Sequence, residues 1–171
     1  RLFNQGTIIY QGAKMSKSRG NVIAPDDYVS IVGADTVRTY LMFIGPWEQG
    51  GEWNDSGING ATRWLNRVWD ISELPLECNS EISDIEIEKK LIRLLHKTIQ
   101  KVGEDIDNFK YNTAISGLME FTNALSESNI RSKVSSIVWK NLTNNLYLMM
   151  SPIVPHLSEE LWIKNQNQFS V

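Results

Sequence analysis

From residue 85 onward, apolar and small side chains recur mostly three or four positions apart. The first row is Ile85, Ile87, Leu91, Leu94, Leu95, Thr98, Val102 and Ile106; a second is Tyr111, Ala114, Ile115, Leu118, Met119, Thr122 and Leu125. A third is Val134, Ile137, Val138, Leu142, Leu146 and Met149. This is the period of a helix that buries one stripe. Ser151-Pro152-Ile153-Val154-Pro155 breaks the third row, and Pro155 suits the first turn of a last helix through Glu159, Glu160, Leu161 and Trp162. An earlier stripe, Ile58, Ala61, Leu65, Val68, Trp69 and Ser72, opens at Asp55-Ser56, residue types that cap helices. Residues 73–83, with Pro75, read as a linker. The pattern predicts an antiparallel bundle of about five helices.

Ahead of residue 55 the period changes. Thr7-Ile8-Ile9-Tyr10 reads as a short strand ended by Gln11-Gly12. Pro25-Asp26-Asp27 opens a short helix, its two carboxylates at the positive end of the dipole, and Gly33 ends it. Asp35 begins another that runs to Phe43 and stops at Gly45-Pro46. Residues 45–55 form a Gly- and Trp-rich connector. The expected fold class is therefore mainly α: residues 1–54 a short α/β stub, residues 55–171 a helical bundle.

Composition narrows the function classes. A hydrophobic fraction of 42% is enough for a core, and a net charge of −3 excludes a generally basic nucleic-acid-binding domain, so any such contact must use local patches. Cys78 is the single cysteine, which excludes an internal disulfide framework. With His96 and His156 far apart, too few ligands remain for a metal site. No apolar run approaches the length of a membrane span, and Arg1-Leu2-Phe3-Asn4 lacks a signal-peptide layout. The start without methionine leads us to expect a piece cut from a longer chain.

Lys14-Met15-Ser16-Lys17-Ser18-Arg19-Gly20-Asn21 stands out from this acidic background. One reading is a solvated basic turn. The other is an oxyanion-binding loop, with lysines as point charges on phosphate oxygens, hydroxyls and backbone N–H groups as further donors, and glycine allowing close approach. Such a loop would be mobile and close on its nucleotide. Lys14 to Ser18 is letter for letter the second signature string of the class I aminoacyl-tRNA synthetases, a match expected by chance on the order of once in ten thousand chains of this length. The chain therefore resembles that family. Gly33-Ala34-Asp35-Thr36-Val37-Arg38 resembles the segment after this loop in its branched-aliphatic subgroup. Leu2-Phe3-Asn4-Gln5-Gly6, Phe43 to Asn54, and Arg63 with Leu65-Asn66-Arg67-Val68-Trp69 are most similar to the bacterial leucyl branch. Met150 to Trp162 is similar to the family's C-terminal helical, anticodon-binding-type domain.

The resemblance implies an ATP-dependent ligase that joins leucine to tRNA(Leu) through leucyl-adenylate, with Mg2+ accompanying ATP. It implies a cytoplasmic enzyme acting as a monomer. Lys14 and Lys17 would be the catalytic phosphate contacts, Lys17 the more direct. Met15 and Ser16 would lie by the adenine through backbone groups, and Ser18 would complete the ATP-binding set. The family's other signature, of His-Ile-Gly-His type, has no counterpart here, nor do its amino-acid pocket and editing domain. The segment alone should then be inactive. Valyl, isoleucyl or methionyl specificity stays open for the same reason. The competing class is a stand-alone helical RNA- or protein-interaction module with an incidental basic loop.

Arg63 and Arg67 lie four apart, so they share a helix face. They read either as tRNA backbone contacts or as a solvated face paired with Asp70 or Glu73. The tryptophans at helical spacing are expected in the core, with Trp47 and Trp53 pinning stub to bundle. Asp35 and Arg38 would form a local ion pair of small value.

Overall fold

Tyr10, Gln11, Gly12 and Ala13 turn the chain back on itself in two residues. Gln11 and Gly12 both have positive φ, 53° and 69°, the geometry that matches the twist of a tight hairpin. The predicted strand is β1 (Thr7–Tyr10), and it pairs antiparallel with β2 (Ala13–Lys14), Tyr10 opposite Ala13. A strand β3 (Gly50–Glu52) lies parallel on the other edge, giving the order β2-β1-β3. β3 was not predicted, and its glycines explain why. A Cβ on Gly50 would stand 2.2 Å from the carbonyl oxygen of Thr7, so the residue that makes the stretch read as a loop is the one that lets it pair.

The computed structural model describes residues 3–74 and 83–171, so Pro75 and Cys78 of the expected linker lie outside the described residues. The remaining elements are α1 (Pro25–Val32), α2 (Ala34–Phe43), α3 (Asp55–Ser72), α4 (Ile85–Asp107), α5 (Tyr111–Leu125), α6 (Ser136–Met150) and α7 (Pro155–Lys164). Among the described residues no helix is long and apolar enough to cross a membrane. The cap of α3 is Asn54, not Asp55-Ser56: its Oδ1 accepts from the Ser56 backbone N–H at 2.8 Å and the Ser56 hydroxyl at 2.7 Å. Asp84 caps α4 and Ser135 caps α6 in the same manner.

Two cores meet on α3. The smaller joins Val37, Tyr40 and Trp53 to Ile58 and Ala61 of α3, with Met15, Ile23 and Tyr28 packed against it. The larger takes Trp64, Leu65, Val68 and Ile71 from the same helix and adds the inward faces of α4 to α7, among them Leu95, Ile115, Leu118, Phe121, Trp139, Leu142 and Leu161. Trp69 and Ser72 were assigned to this stripe; Trp64 and Ile71 take their places. Trp69 is 38% exposed at the stripe's edge, where the ammonium of Lys164 sits 4.7 Å from its ring centroid. Trp64 is buried and donates from Nε1 to the Thr122 hydroxyl at 3.0 Å, which satisfies its polar atom.

The stub is fastened to the bundle by polar and aromatic contacts. Asp35 of α2 accepts from the Leu157 backbone N–H at 2.7 Å and lies 2.9 Å from His156 Nδ1, so it caps the first turn of α7 from another module. Val154, the residue preceding α7, has no side chain able to do this. Arg38 donates to the carbonyls of Ile153 and Pro152 at 2.9 and 3.0 Å. The expected Asp35–Arg38 ion pair is therefore not formed; each side chain answers an orphan backbone group of the bundle instead. The Trp47 ring meets Tyr111 edge-on at 5.1 Å, and Phe3 stacks on Phe109 at 4.5 Å.

Candidate functional site

The basic segment leaves the hairpin at Lys14 and closes into one 3-10 turn, Lys17–Arg19, followed by Gly20. One side chain holds this turn. Asn21 is buried; its Oδ1 accepts from the Ser16 backbone N–H at 2.9 Å, and its Nδ2 lies 3.4 Å from the carbonyls of both Tyr10 and Lys14. The amide thus ties the end of β1, the end of β2 and the start of the turn together. Met15 is half-buried against the smaller core, a second anchor. The Ser16 and Ser18 hydroxyls bond each other at 2.7 Å. On the solvent side Lys14, Lys17 and Arg19 are exposed, and among the described residues none of the three forms an ion pair. Three uncompensated cations on a turn with an anchored backbone can receive an anion with several oxygens.

The hairpin tip and the start of α3 carry their own polar set. The Gly12 N–H donates to Glu52 Oε1 at 2.8 Å, tying the hairpin tip to β3. Asp55 accepts from the Tyr28 hydroxyl and from Trp53 Nε1, the latter at 2.9 Å. Those two donors, Tyr28 first, hold the Asp55 carboxyl below its ordinary pKa, and the same bond raises that of Tyr28.

The sequence singled out Lys14 to Ser18 as a candidate site and did not single out Asn21. Its only signal was an amide placed directly after the glycine that ends the turn. Arg63 and Arg67 are both exposed on α3; Arg67 donates to Asn123 of α5, while Glu73 receives Lys164. His96 is exposed on α4, and among the described residues no three potential metal ligands converge.

Two family models match the chain. One, tRNA synthetases class I (M), covers residues 1–62, and the other, the anticodon-binding domain of tRNA ligase, covers residues 88–171. The chain belongs to the class I tRNA synthetases. Among its relatives, the Leucine--tRNA ligase of Dehalococcoides mccartyi is 46% identical over 171 residues, all of this chain and 21% of that protein. The Leucine--tRNA ligase of Herpetosiphon aurantiacus is 48% identical over 163 residues, 95% of this chain and 20% of that protein. The chain thus spans about a fifth of the length of these curated relatives. The LeuRS of Agrobacterium radiobacter K84, solved in a ternary complex with tRNA and LeuAMS, superposes with a TM-score of 0.86 at 32% identity, over 98% of this chain and 23% of that one. In this synthetase segment the first model covers the turn and the smaller core, and the second covers the bundle from Glu88 onward.

Proposed function

We propose that this segment serves a leucine–tRNA ligase, supplying the loop that grips the phosphates of ATP and the helical domain that supports tRNA(Leu). The full enzyme condenses leucine with ATP to leucyl-adenylate and pyrophosphate, then transfers leucine to tRNA. Within that reaction Lys14 and Lys17 bind the polyphosphate and stabilise charge as it builds on the departing pyrophosphate. The backbone of Met15 and Ser16 lies toward the adenine, and Ser18 adds a hydroxyl donor. Mg2+ bound with the ATP would supply further positive charge to the phosphates; the lysines act as mobile point charges. Asn21 is the positioning residue, because it fixes the backbone from which both lysines extend. Arg63 and Arg67 contact the tRNA backbone. The enzyme works in the cytoplasm, as a monomer, and the segment alone is inactive.

The observation that carries this reading is the string Lys14 to Ser18 on an exposed, side-chain-anchored turn whose cations form no ion pair among the described residues. The specificity rests on the likeness to Leucine--tRNA ligases over nearly the whole chain. The test is amino-acid-dependent ATP–pyrophosphate exchange by the full-length protein that carries this segment. Leucine should support exchange, and isoleucine, valine and methionine should not. Exchange with one of those three would move the specificity within the class. Exchange with none would leave the helical interaction module as the better account.

A further inference from the structure

The helix that follows the basic turn is thinly anchored. None of the eight residues of α1 is fully buried, and only Tyr28 and Val32 are half-buried. Its far end is fixed by the chain itself, since Gly33 alone joins it to α2 and takes a φ of +83° to do so. Its near end begins at Pro25, four residues beyond Asn21, where the chain comes off the basic turn. There Tyr28 supplies the fastening. Its ring meets the buried Trp53 edge-on at 4.7 Å, and its hydroxyl donates to Asp55 Oδ1. Trp53 Nε1 donates to the same oxygen at 2.9 Å. Asp55 is the first residue of α3, and the start of that helix is itself laid on Tyr40. The Tyr40 hydroxyl donates to the Asn54 carbonyl at 2.9 Å and accepts from the Asn54 N–H at 2.8 Å, and a Cβ on Gly57 would stand 2.8 Å from the Tyr40 ring.

Asp55 thus stands at the end of a rod set in the bundle, because α3 runs on from Ile58 and Ala61 of the smaller core to Trp64, Leu65, Val68 and Ile71 of the larger one. An isolated hydrogen bond at a surface contributes little. Here the acceptor is a carboxylate that gathers two donors, and the ring behind the hydroxyl is packed, so the contact is directional and stiff. From residues 21–32, only Ile23, Tyr28 and Val32 lean on the smaller core, and Ile23 and Val32 do so through apolar contact without a fixed direction. A loop that closes on a nucleotide turns about its two ends. One end of the basic turn is the hairpin, to which Asn21 ties it; the other is α1. We propose that the Tyr28–Asp55 bond clamps α1 to the first bundle helix and so sets the second pivot of the turn, aligning Lys14 and Lys17 as charge builds on the departing pyrophosphate. Tyr28 and Asp55 are positioning residues in this account. Their loss is felt in the alignment of the transition state more than in the binding of leucine. The inference rests on the proposed function for the reaction that the turn serves.

The test uses the full-length protein. Tyr28→Phe keeps the ring against Trp53 and removes only the hydroxyl. Leucine-dependent ATP–pyrophosphate exchange, melting temperature and amide hydrogen exchange at residues 22–24 are measured. The expected result is a kcat lower by about fivefold or more, with the KM for leucine and the melting temperature nearly unchanged. Amides 22–24 should exchange faster while α4 to α6 keep their protection. Asp55→Ala should lower kcat to a similar extent. Asp55→Asn, which retains an acceptor oxygen, should recover most of the rate. Tyr28→Phe combined with Asp55→Ala should be no slower than the slower single variant, because the two share one interaction. A kcat unchanged in Tyr28→Phe would overturn the proposal, as would losses that multiply in the double variant or a rate loss that merely follows a lowered melting temperature. A wild type that supports no exchange with leucine counts against the proposed function. The clamp is then judged on amide exchange alone, where faster exchange at residues 22–24 in Tyr28→Phe supports it and unchanged protection overturns it.

Discussion

The stub and the bundle solve the same problem with different means. The bundle is held by burial: Leu118 and Phe121 of α5 and Trp139 and Leu142 of α6 are almost wholly removed from water, in one core shared with α3, α4 and α7. Each such side chain contributes about 1.5–3 kcal/mol from burial. Among the described residues the stub's buried apolar cluster is Val37, Tyr40 and Trp53 with two residues borrowed from α3, and the stub holds its shape through individual polar and close-packed devices as well. These are a two-residue turn, a glycine-dependent strand, one amide beneath the basic turn, and Asp35 and Arg38 on the bundle's backbone. The comparison teaches where chemistry can reside. A loop that must present bare cations cannot be buried, so it is pinned by a few directional bonds next to a small core, and the large core steadies the whole from behind.

The widest separation between the two regions should come from a core truncation. Phe121→Ala empties a fully buried position and should cost about 3–5 kcal/mol, read by chemical denaturation of the segment. A surface-like cost below 1 kcal/mol would mean the bundle is not the stable half. Gly50→Ala should follow, at about 2–3 kcal/mol. It adds a Cβ against Thr7 at a residue with φ of +74°, and the loss should appear as faster amide exchange in β1 and β3 with α4 to α6 unaffected.

Asp35→Ala removes the cross-module cap of α7 and should cost about 1–2 kcal/mol. Its mark would be loosened exchange at the start of α7 despite a substitution made in the stub. The smallest effect expected is acid sensitivity at Asp55. Its carboxyl is held below the ordinary value, so its contribution to stability is present above that value and fades as pH falls through the lowered one. Asp55→Asn should therefore flatten the acid end of the stability profile and leave neutral pH dependence alone, as followed by melting temperature between pH 2 and 7.

The two regions also differed in how far the sequence disclosed them. Rows such as Ala114, Ile115, Leu118 and Thr122 announce a buried helical face because period alone decides it, and the helices stand where those rows run. Even there, Trp64 and Ile71 stand in the core where Trp69 and Ser72 were expected, because the edge of a helical stripe is set by its neighbours and Lys164 was available to cover the Trp69 ring. In the stub, the string Lys14 to Ser18 was legible as a candidate site because its residue types are chemically unusual together. Asn21 was not, since a buried amide and a loop amide look alike until the backbone groups it serves are located. Asp35 and Arg38 were misread as partners because their true acceptors and donors lie more than a hundred residues away. β3 was hidden by the glycines that permit it.

The most direct test of this division of labour pairs two measurements on Lys17→Ala in the full-length protein: leucine-dependent ATP–pyrophosphate exchange and the melting temperature. Lys17 is exposed and takes part in no internal ion pair among the described residues, so the fold should not register its loss. The account predicts exchange reduced by about a hundredfold or more, as for removal of a group aimed at transition-state charge, with melting unchanged. Exchange that is indifferent to the substitution would contradict it, and would return the turn to the status of a solvated basic loop.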